Sequence, residues 1–429
     1  MISDTLSYTL AVVGLAWYVG IYLISLLGCV AADSISRRRY RSRPMSPLVN
    51  TGSLYSPGVS ILRPLKGLDT NLYENLESTF KQEYPNYEII FSVADENDQA
   101  LHIVQALRSR YPNVKVSVII GEEIVGINPK VNNLVRSFKV AAHDIVWVLD
   151  SGVMVDSRTL ARSVNILNKS PPGTKRKIGL VHHVPFALID QMQVGSRLEA
   201  VFLNTNHAKM YIAINTVAVE SCVVGKSNLY RRSDLERLDG SLVPIQTQIA
   251  GTREPGKYGL PAFGRFLAED NMIASALWHE LDLRHDLSCD VARNVVGNMS
   301  FSDYVWRRVR WIRVRKRMVL AATFAEPFQE SIMVGLVGRL SLGALYGVPS
   351  WIFTLFHFVA WLSIDLDVYS SLAGHNLRKK DWISFLSAWV GRELLAFPIW
   401  VIAIVGDEVI WRGKRYRMVK NGEARLVIN

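Results

Sequence analysis

Three aspartates and one basic motif are the residues best placed to do chemistry: Asp95 in ADEND, Asp150 in LDSG, Asp270 in AEDN, and Arg307-x-x-Arg310-Trp311 in RRVRW. Asp150 has the clearest setting, because Ile145 to Leu149 reads as a strand that delivers it to an edge, with Gly152 just beyond. A carboxylate there is the hard oxygen ligand that a divalent cation bridging two phosphates needs. Arg310 beside Trp311, with Arg307 one turn earlier, can clamp a diphosphate and offer an aromatic face to a sugar. The same helix also reads as an anchor to lipid headgroups, and Asp95 and Asp270 each read alternatively as helix N-caps.

The elements that must position these groups lie between Ser56 and about Arg317. Strand-like runs at 58–62, 87–93, 114–120 and 144–149 alternate with helical periods at Asn71–Gln82, Asp98–Arg110 and Pro129–Ala142. That alternation predicts a parallel, doubly wound α/β sheet, whose ligands sit beyond the carboxyl ends of the strands. Asp95 and Asp150 both fall at that edge. No GxGxxG or P-loop follows a strand; VVGKS at 223–227 lacks the upstream glycine spacing and reads as a turn after a strand. The Gly/Pro-rich stretch around 244–264 reads as a mobile loop or lid, and Phe301–Val319 as a basic helix on a membrane surface. His182 and His183 end an apparent strand, and Cys222 reads as buried packing.

Composition places that domain at a bilayer. The 429 residues are 49% hydrophobic and 20% charged, which excludes a disordered or fibrous chain. Thr5 to Ala32 carries no charge, and Arg37, Arg38, Arg39, Arg41 and Arg43 follow it, so residues 5–32 read as an anchor with the following chain in the cytoplasm; a cleaved signal peptide would need a shorter core. Residues 327–406 hold two or three further apolar segments, turning at Pro349. The last is interrupted by Arg392 and Glu393, which must pair or face protein. Two spans with a re-entrant third segment keep the basic loop at 378–380 and the basic tail in the cytoplasm, whereas three full spans would export the tail. A basic tail occupies 407–429. The net charge of +11 resides in clusters bordering apolar stretches, which excludes a nucleic-acid-binding face. Three dispersed cysteines form no CxxC, so neither a disulfide framework nor a cysteine zinc site is expected, and the compartment is reducing.

Taken together, the order Asp95, Asp150, Asp270, Arg307-x-x-Arg310-Trp311 resembles the D, D, D, (Q/R)xxRW signature of membrane-bound glycosyltransferases with the GT-A fold. Longer blocks, Ile61–Asp69 (ILRPLKGLD), Gly126–Leu134 (GINPKVNNL), Asp150–Gly152, Ala268–Asp270 and Arg307–Trp311, resemble the ceramide glucosyltransferase family over nearly the whole chain. One departure from the wider GT-A pattern is that Ser151 and Gly152 follow Asp150, so no DxD exists. The resemblance implies a GT-A (Rossmann-like) domain over residues 56–317 and inverting transfer of glucose from UDP-glucose to the primary hydroxyl of ceramide. It implies Asp270 as general base, Asp95 at the uridine, and Asp150 with a divalent cation (Mn2+ or Mg2+) at the diphosphate. Lys66 and Lys130 would touch uridine or phosphate, or else are solvated surface lysines. Arg307, Arg310 and Trp311 would close the site, and His207 would lie near the acceptor unless it is structural. The expected partners are UDP-glucose, ceramide and the lipid bilayer, on a Golgi or endoplasmic reticulum membrane with the catalytic domain facing the cytoplasm. Rival readings are a glucosyltransferase acting on diacylglycerol or sterol, a processive polysaccharide synthase, and a non-catalytic membrane scaffold.

Overall fold

The computed structural model describes residues 2–30, 40, 43–169, 176–189, 193–247 and 258–427. Arg37, Arg38, Arg39 and Arg41 of the first basic cluster, and the centre of the Gly/Pro-rich stretch, lie outside the described residues. In chain order, α1 (Ile2–Val30) precedes β1 (Val59–Leu65), α2 (Leu72–Phe80), β2 (Tyr87–Val93), α3 (Ala100–Arg110), β3 (Val116–Ile120), α4 (Pro129–Val140) and β4 (Ile145–Leu149). Next come β5 (Val153–Met154), α5 (Thr159–Leu167), β6 (Ile178–Ile189), α6 (Val194–Phe202), α7 (Ala208–Val217), β7 (Ser227–Arg231), α8 (Glu269–His279) and β8 (Arg284–Val296). The chain ends with α9 (Phe301–Lys316), α10 (Ser331–Tyr346), α11 (Ser350–Ala373), α12 (Trp382–Val405) and three short strands.

Two compact units result. The sheet unit comprises Arg43–Gln191, Val217–Gly297 and Ile410–Asn429. Its eight strands run in the order β3-β2-β1-β4-β7-β6-β8-β5. The first four are parallel, as their alternation with helices requires. The rest of the sheet departs from the fully parallel expectation, since β7 runs antiparallel to β4 and to β6, while β6 is parallel to β8. The reversal has a direct consequence: Leu149 at the end of β4 pairs with Ser227 at the start of β7. The VVGKS turn therefore precedes a strand rather than following one, and it lies beside Asp150. Ile61, Ile89, Phe91, Trp147 and Leu149 are fully buried against Leu76 and Phe80 of α2, which makes β1, β2 and β4 the rigid floor of this edge.

The helical unit comprises Met1–Ser42, Met192–Thr216 and Asn298–Val409. Three of its helices are long and apolar enough to cross a membrane: Asp4–Gly28, Ser350–Ala373 and Lys379–Val405. The turn read at Pro349 is present, with Gly347 in the left-handed region at φ 64° closing α10 and Pro349 preceding α11. Arg392 is 1% exposed and pairs with Glu330 at 2.9 Å and with Glu393, while Glu393 also accepts from the Ser331 hydroxyl at 2.7 Å.

The basic helix α9 differs from the membrane-surface expectation. Ser300 and Asp303 form a capping box at its start. Tyr304, Val309 and Ile312 on its apolar face pack against Ile399 and Ala403 of α12 instead of facing lipid. Two of its cations engage the last carbonyls of α12, which have no intrahelical donors. Arg313 donates to the Ile402 carbonyl at 3.1 Å, and Lys316 to the Ile404 and Gly406 carbonyls at 3.0 and 2.9 Å.

Candidate active site

The site in the sheet unit is assembled from the segment between β3 and α4, the end of β4, the turn before β7 and the start of α8. Asn128 builds one wall: its side chain caps α4 by accepting from the Lys130 and Val131 amides, and Pro129 occupies the first helical turn. The same side chain donates to Glu269 Oε2 and to the Phe266 carbonyl, each at 2.8 Å, so the GINPK block is tied to the start of α8. Lys130 then reaches two carboxylates, with Nζ 2.8 Å from Asp150 Oδ1 and 2.9 Å from Glu269 Oε1. Lys226 approaches Asp150 from the β7 side, Nζ to Oδ2, at 3.2 Å.

Electrostatics separates Asp150 from Asp270 at this edge. Burial alone would raise the Asp150 carboxyl, but Lys130 and Lys226 override it and hold the group down at about 2. Burial would likewise lower the Lys130 ammonium, yet Asp150, Glu269 and Asp270 keep it well above its ordinary value. Asp270 goes the other way. Desolvation first, and the neighbouring Glu269 charge second, push its carboxyl up to about 6. It forms no ion pair among the described residues. That burial outweighs the helix dipole at the α8 N-terminus, which favours an ionised carboxylate. Nor is it an N-cap: α8 starts at Glu269, Ala268 is the capping residue, and no side chain caps the turn.

Other expected residues lie at the same sheet edge without joining this cluster. Asp95 is exposed in the loop after β2, where Oδ1 accepts from the Asn97 amide at 2.8 Å, and Asp98 instead accepts from Ala100 to start α3. Asp98 also accepts from the Gly67 amide at 2.9 Å, joining the LKG and ADEND loops, with Gly67 at φ 67°. Lys66 is exposed directly after β1. Asp156 is committed elsewhere, to Arg162 at 3.2 Å and Arg43 at 3.4 Å.

Arg307, Arg310, Trp311 and His207 belong to the helical unit. Arg307 Nε donates to Glu199 at 2.9 Å with its guanidinium 5.7 Å from the Trp311 ring, while burial and then Arg307 push Arg310 down to about 10. His207 ends a π-helical turn at Leu203–His207 and stacks on Tyr211. Burial, then Arg308 and Arg315, push its imidazole down to about 3, so it is neutral, and its Nδ1 has no hydrogen-bond partner among the described residues.

Residues without an expected role prove structural to the site. Arg63, inside the ILRPLKGLD block, is buried beneath the loop after β4 and donates to the Ser151 and Val153 carbonyls at 3.2 Å. An arginine in the middle of an apolar strand was the available signal. Gly225 touches the site by having no side chain, since a Cβ there would strike the Asp270 carboxylate. The end of the stretch read as mobile is packed, with Leu260 and Phe263 buried ahead of α8 and Phe266 just beyond them, whereas Pro244, Gln246 and Thr247 at its start are exposed. His182 and His183 lie within β6 rather than at its end, and Cys222 is half-buried in the loop before β7.

A magnesium or manganese ion needs one or two protein carboxylates when substrate phosphates and water complete its shell. Asp150 supplies one, and among the described residues no group of three or more His, Cys, Asp or Glu offers a closed cage. The donor set therefore fits a cation that arrives with a diphosphate.

The sheet with acids beyond its strand ends, and the three helices long and apolar enough to cross a membrane, fit a membrane-attached glycosyltransferase of the GT-A type. The family model for glycosyl transferase family 21 matches residues 20–424, and the chain belongs to that family. A protein named ceramide glucosyltransferase from Komagataella phaffii is 36% identical, covering 95% of this chain and 90% of that one. One of the same name from Candida albicans is 34% identical, covering 85% and 87%, and ceramide glucosyltransferase 3 of Caenorhabditis elegans is 27% identical over 96% and 82%. Among solved structures, a mannosyltransferase from Pyrobaculum calidifontis in complex with GDP-Man and Mn2+ aligns at TM-score 0.45 and 16% identity, covering 92% of this chain and 98% of that one.

Proposed function

We propose that this chain transfers glucose from UDP-glucose to the primary hydroxyl of ceramide, inverting the anomeric centre. The observation that carries the reading is the division of labour at the sheet edge: Asp150 is held ionised by two lysines, while Asp270 has no ion pair among the described residues and its carboxyl is raised to about 6. Family membership and the names of its relatives support the substrates.

In this mechanism the acceptor hydroxyl oxygen attacks C1 of glucose, the bond from C1 to the β-phosphate oxygen breaks, and UDP leaves with the electron pair. The hydroxyl proton passes to Asp270. A carboxylate that titrates near 6 is ionised at neutral pH, yet more basic than an exposed one, which suits a general base. Asp150 would hold the divalent cation, which when bound neutralises charge on the diphosphate. Lys130 adds a fixed positive charge to the same pocket, and Arg307 and Arg310 serve the diphosphate. Asp95 and Lys66 receive the uridine. Trp311 offers an apolar face to sugar or acceptor, and the neutral His207 accepts a hydrogen bond from the acceptor lipid.

Residues 56–317 face the cytoplasm from a Golgi or endoplasmic reticulum membrane, an orientation that the arginines after the first span support. The last apolar helix re-enters that side, a reading supported by the attachment of its C-terminal carbonyls to the basic helix α9. Membranes incubated with UDP-glucose and a mixture of ceramide, diacylglycerol and sterol should yield glucosylceramide by mass spectrometry. Glucosylated diacylglycerol alone would overturn the acceptor assignment.

A further inference from the structure

Lys226 has no part in the mechanism above, yet it occupies the carboxylate on which that mechanism turns. Lys130 holds Asp150 Oδ1 at 2.8 Å and Lys226 holds Oδ2 at 3.2 Å, so both oxygens face ammonium groups. The two lysines are not equivalent. Lys130 is also 2.9 Å from Glu269 and 3.4 Å from the Gly225 carbonyl, and it keeps these partners if Asp150 is taken away. Among the described residues Lys226 makes its ion pair with Asp150 alone. The Lys226 and Asp150 side chains are 20% and 25% exposed, so the pair lies open at the ligand edge.

A divalent cation cannot share one carboxylate with two ammonium groups without repulsion, and the lysine without a second anchor is the one that must leave. We propose that Lys226 is a donor-binding residue: it holds Asp150 when no donor is present, yields it to the cation, and turns its ammonium onto the diphosphate that arrives with that cation. This rests on the reading of Asp150 as the cation-binding carboxylate. The balance of charge points the same way. Asp150, Glu269 and Asp270 against Lys130 and Lys226 leave the pocket with a single net negative charge. Without Lys226 it becomes doubly negative, more attractive to a bare cation and more hostile to a diphosphate. The exchange thus makes cation binding weak alone and strong with donor. It also supplies, from the β7 side, a charge that the missing DxD carboxylate cannot organise.

The test is a Mn2+ titration of the purified full-length protein, following the free-ion paramagnetic resonance signal with and without UDP, alongside calorimetric UDP binding at saturating Mn2+. K226Q should bind Mn2+ alone about tenfold more tightly than wild type and bind UDP about tenfold more weakly, the scale of one charge-assisted contact. K226R, which keeps the charge, should recover most of both changes and shows that the fold tolerates the position. D150N should retain no Mn2+ in either condition. Both affinities within twofold of wild type in K226Q, while wild type retains Mn2+ with UDP, would overturn the role of Lys226 and leave Asp150 standing. A fall in UDP affinity with no rise in Mn2+ affinity would overturn the exchange. Wild type that retains no Mn2+ even with UDP would overturn the Asp150 reading, and this one with it.

Discussion

Replacing Asp270 with asparagine should make the protein more stable while nearly abolishing turnover. The carboxyl titrates near 6 instead of 3.8, because burial and the Glu269 charge oppose its ionisation. At about 1.4 kcal/mol per pKa unit, holding it ionised at neutral pH costs the fold about 3 kcal/mol at most. The side chain is only partly buried, and solvent screening brings the expected recovery in D270N down to about 1–2 kcal/mol. The sign follows from linkage. A raised pKa means that the folded chain binds the proton more tightly than the unfolded chain does. The penalty is absent below about pH 4, grows as pH rises, and is complete above about pH 6. The stability gap between D270N and wild type should therefore be widest at pH 7–8 and close toward pH 4.

Thermal unfolding of both proteins in nanodiscs across that range reads the gap, and single-turnover assays on the same samples read the chemistry. Turnover should fall by roughly 10²–10⁴-fold, with UDP-glucose affinity close to wild type. Wild-type kcat/KM should drop on the acid side of a limb near pH 6. A D270N protein less stable than wild type at pH 7.5 would refute the electrostatic reasoning. One that turns over within tenfold of wild type would remove Asp270 from the mechanism.

Two further substitutions probe how the neighbourhood is held. G225A puts a methyl group against the Asp270 carboxylate, so kcat should fall at least tenfold with donor affinity less affected; an unchanged rate would show that the base does not sit where Gly225 allows. R392M should destabilise the helical unit by about 3–5 kcal/mol, because Glu330 and Glu393 lose their buried cation, and E330Q should relieve part of that loss. A loss below about 1 kcal/mol in R392M, measured by unfolding in nanodiscs, would mean that the carboxylates find other partners.

The parallel half of the sheet was legible because each of its strands is an apolar run bounded by turn residues. Tyr87–Val93 matches the expected bounds, and the other three strands differ by a few residues. Asp150 at a strand end followed from that alone. The antiparallel half was not legible. Strand β7 is five residues, SNLYR, with too little apolar character to announce itself, and β6 carries two histidines in its middle that read as an end. His183 is accommodated there by the Ser163 and Ser227 hydroxyls, a tertiary fact without a local signal. The face of α9 was read as meeting lipid because periodicity marks an apolar stripe without saying whether lipid or another helix covers it.

Glu269 and Asp270 show why neighbouring acids of like type cannot be ranked by composition. They share a helix start and a burial gradient, and what differs is the set of partners that the GINPK block delivers. Asn128 and Lys130 satisfy both oxygens of Glu269, which fixes it as a strut between α4 and α8. No ion pair among the described residues offsets the burial of Asp270, so desolvation, with the Glu269 charge behind it, raises its carboxyl to about 6. The same Lys130 keeps Asp150 ionised a few ångströms away. One capped helix turn, Asn128-Pro129-Lys130, thus ties up Asp150 and Glu269 and leaves Asp270 without an ion pair among the described residues. The reversed strand β7 completes the arrangement by bringing Gly225 close enough to crowd Asp270 and Lys226 close enough to hold Asp150.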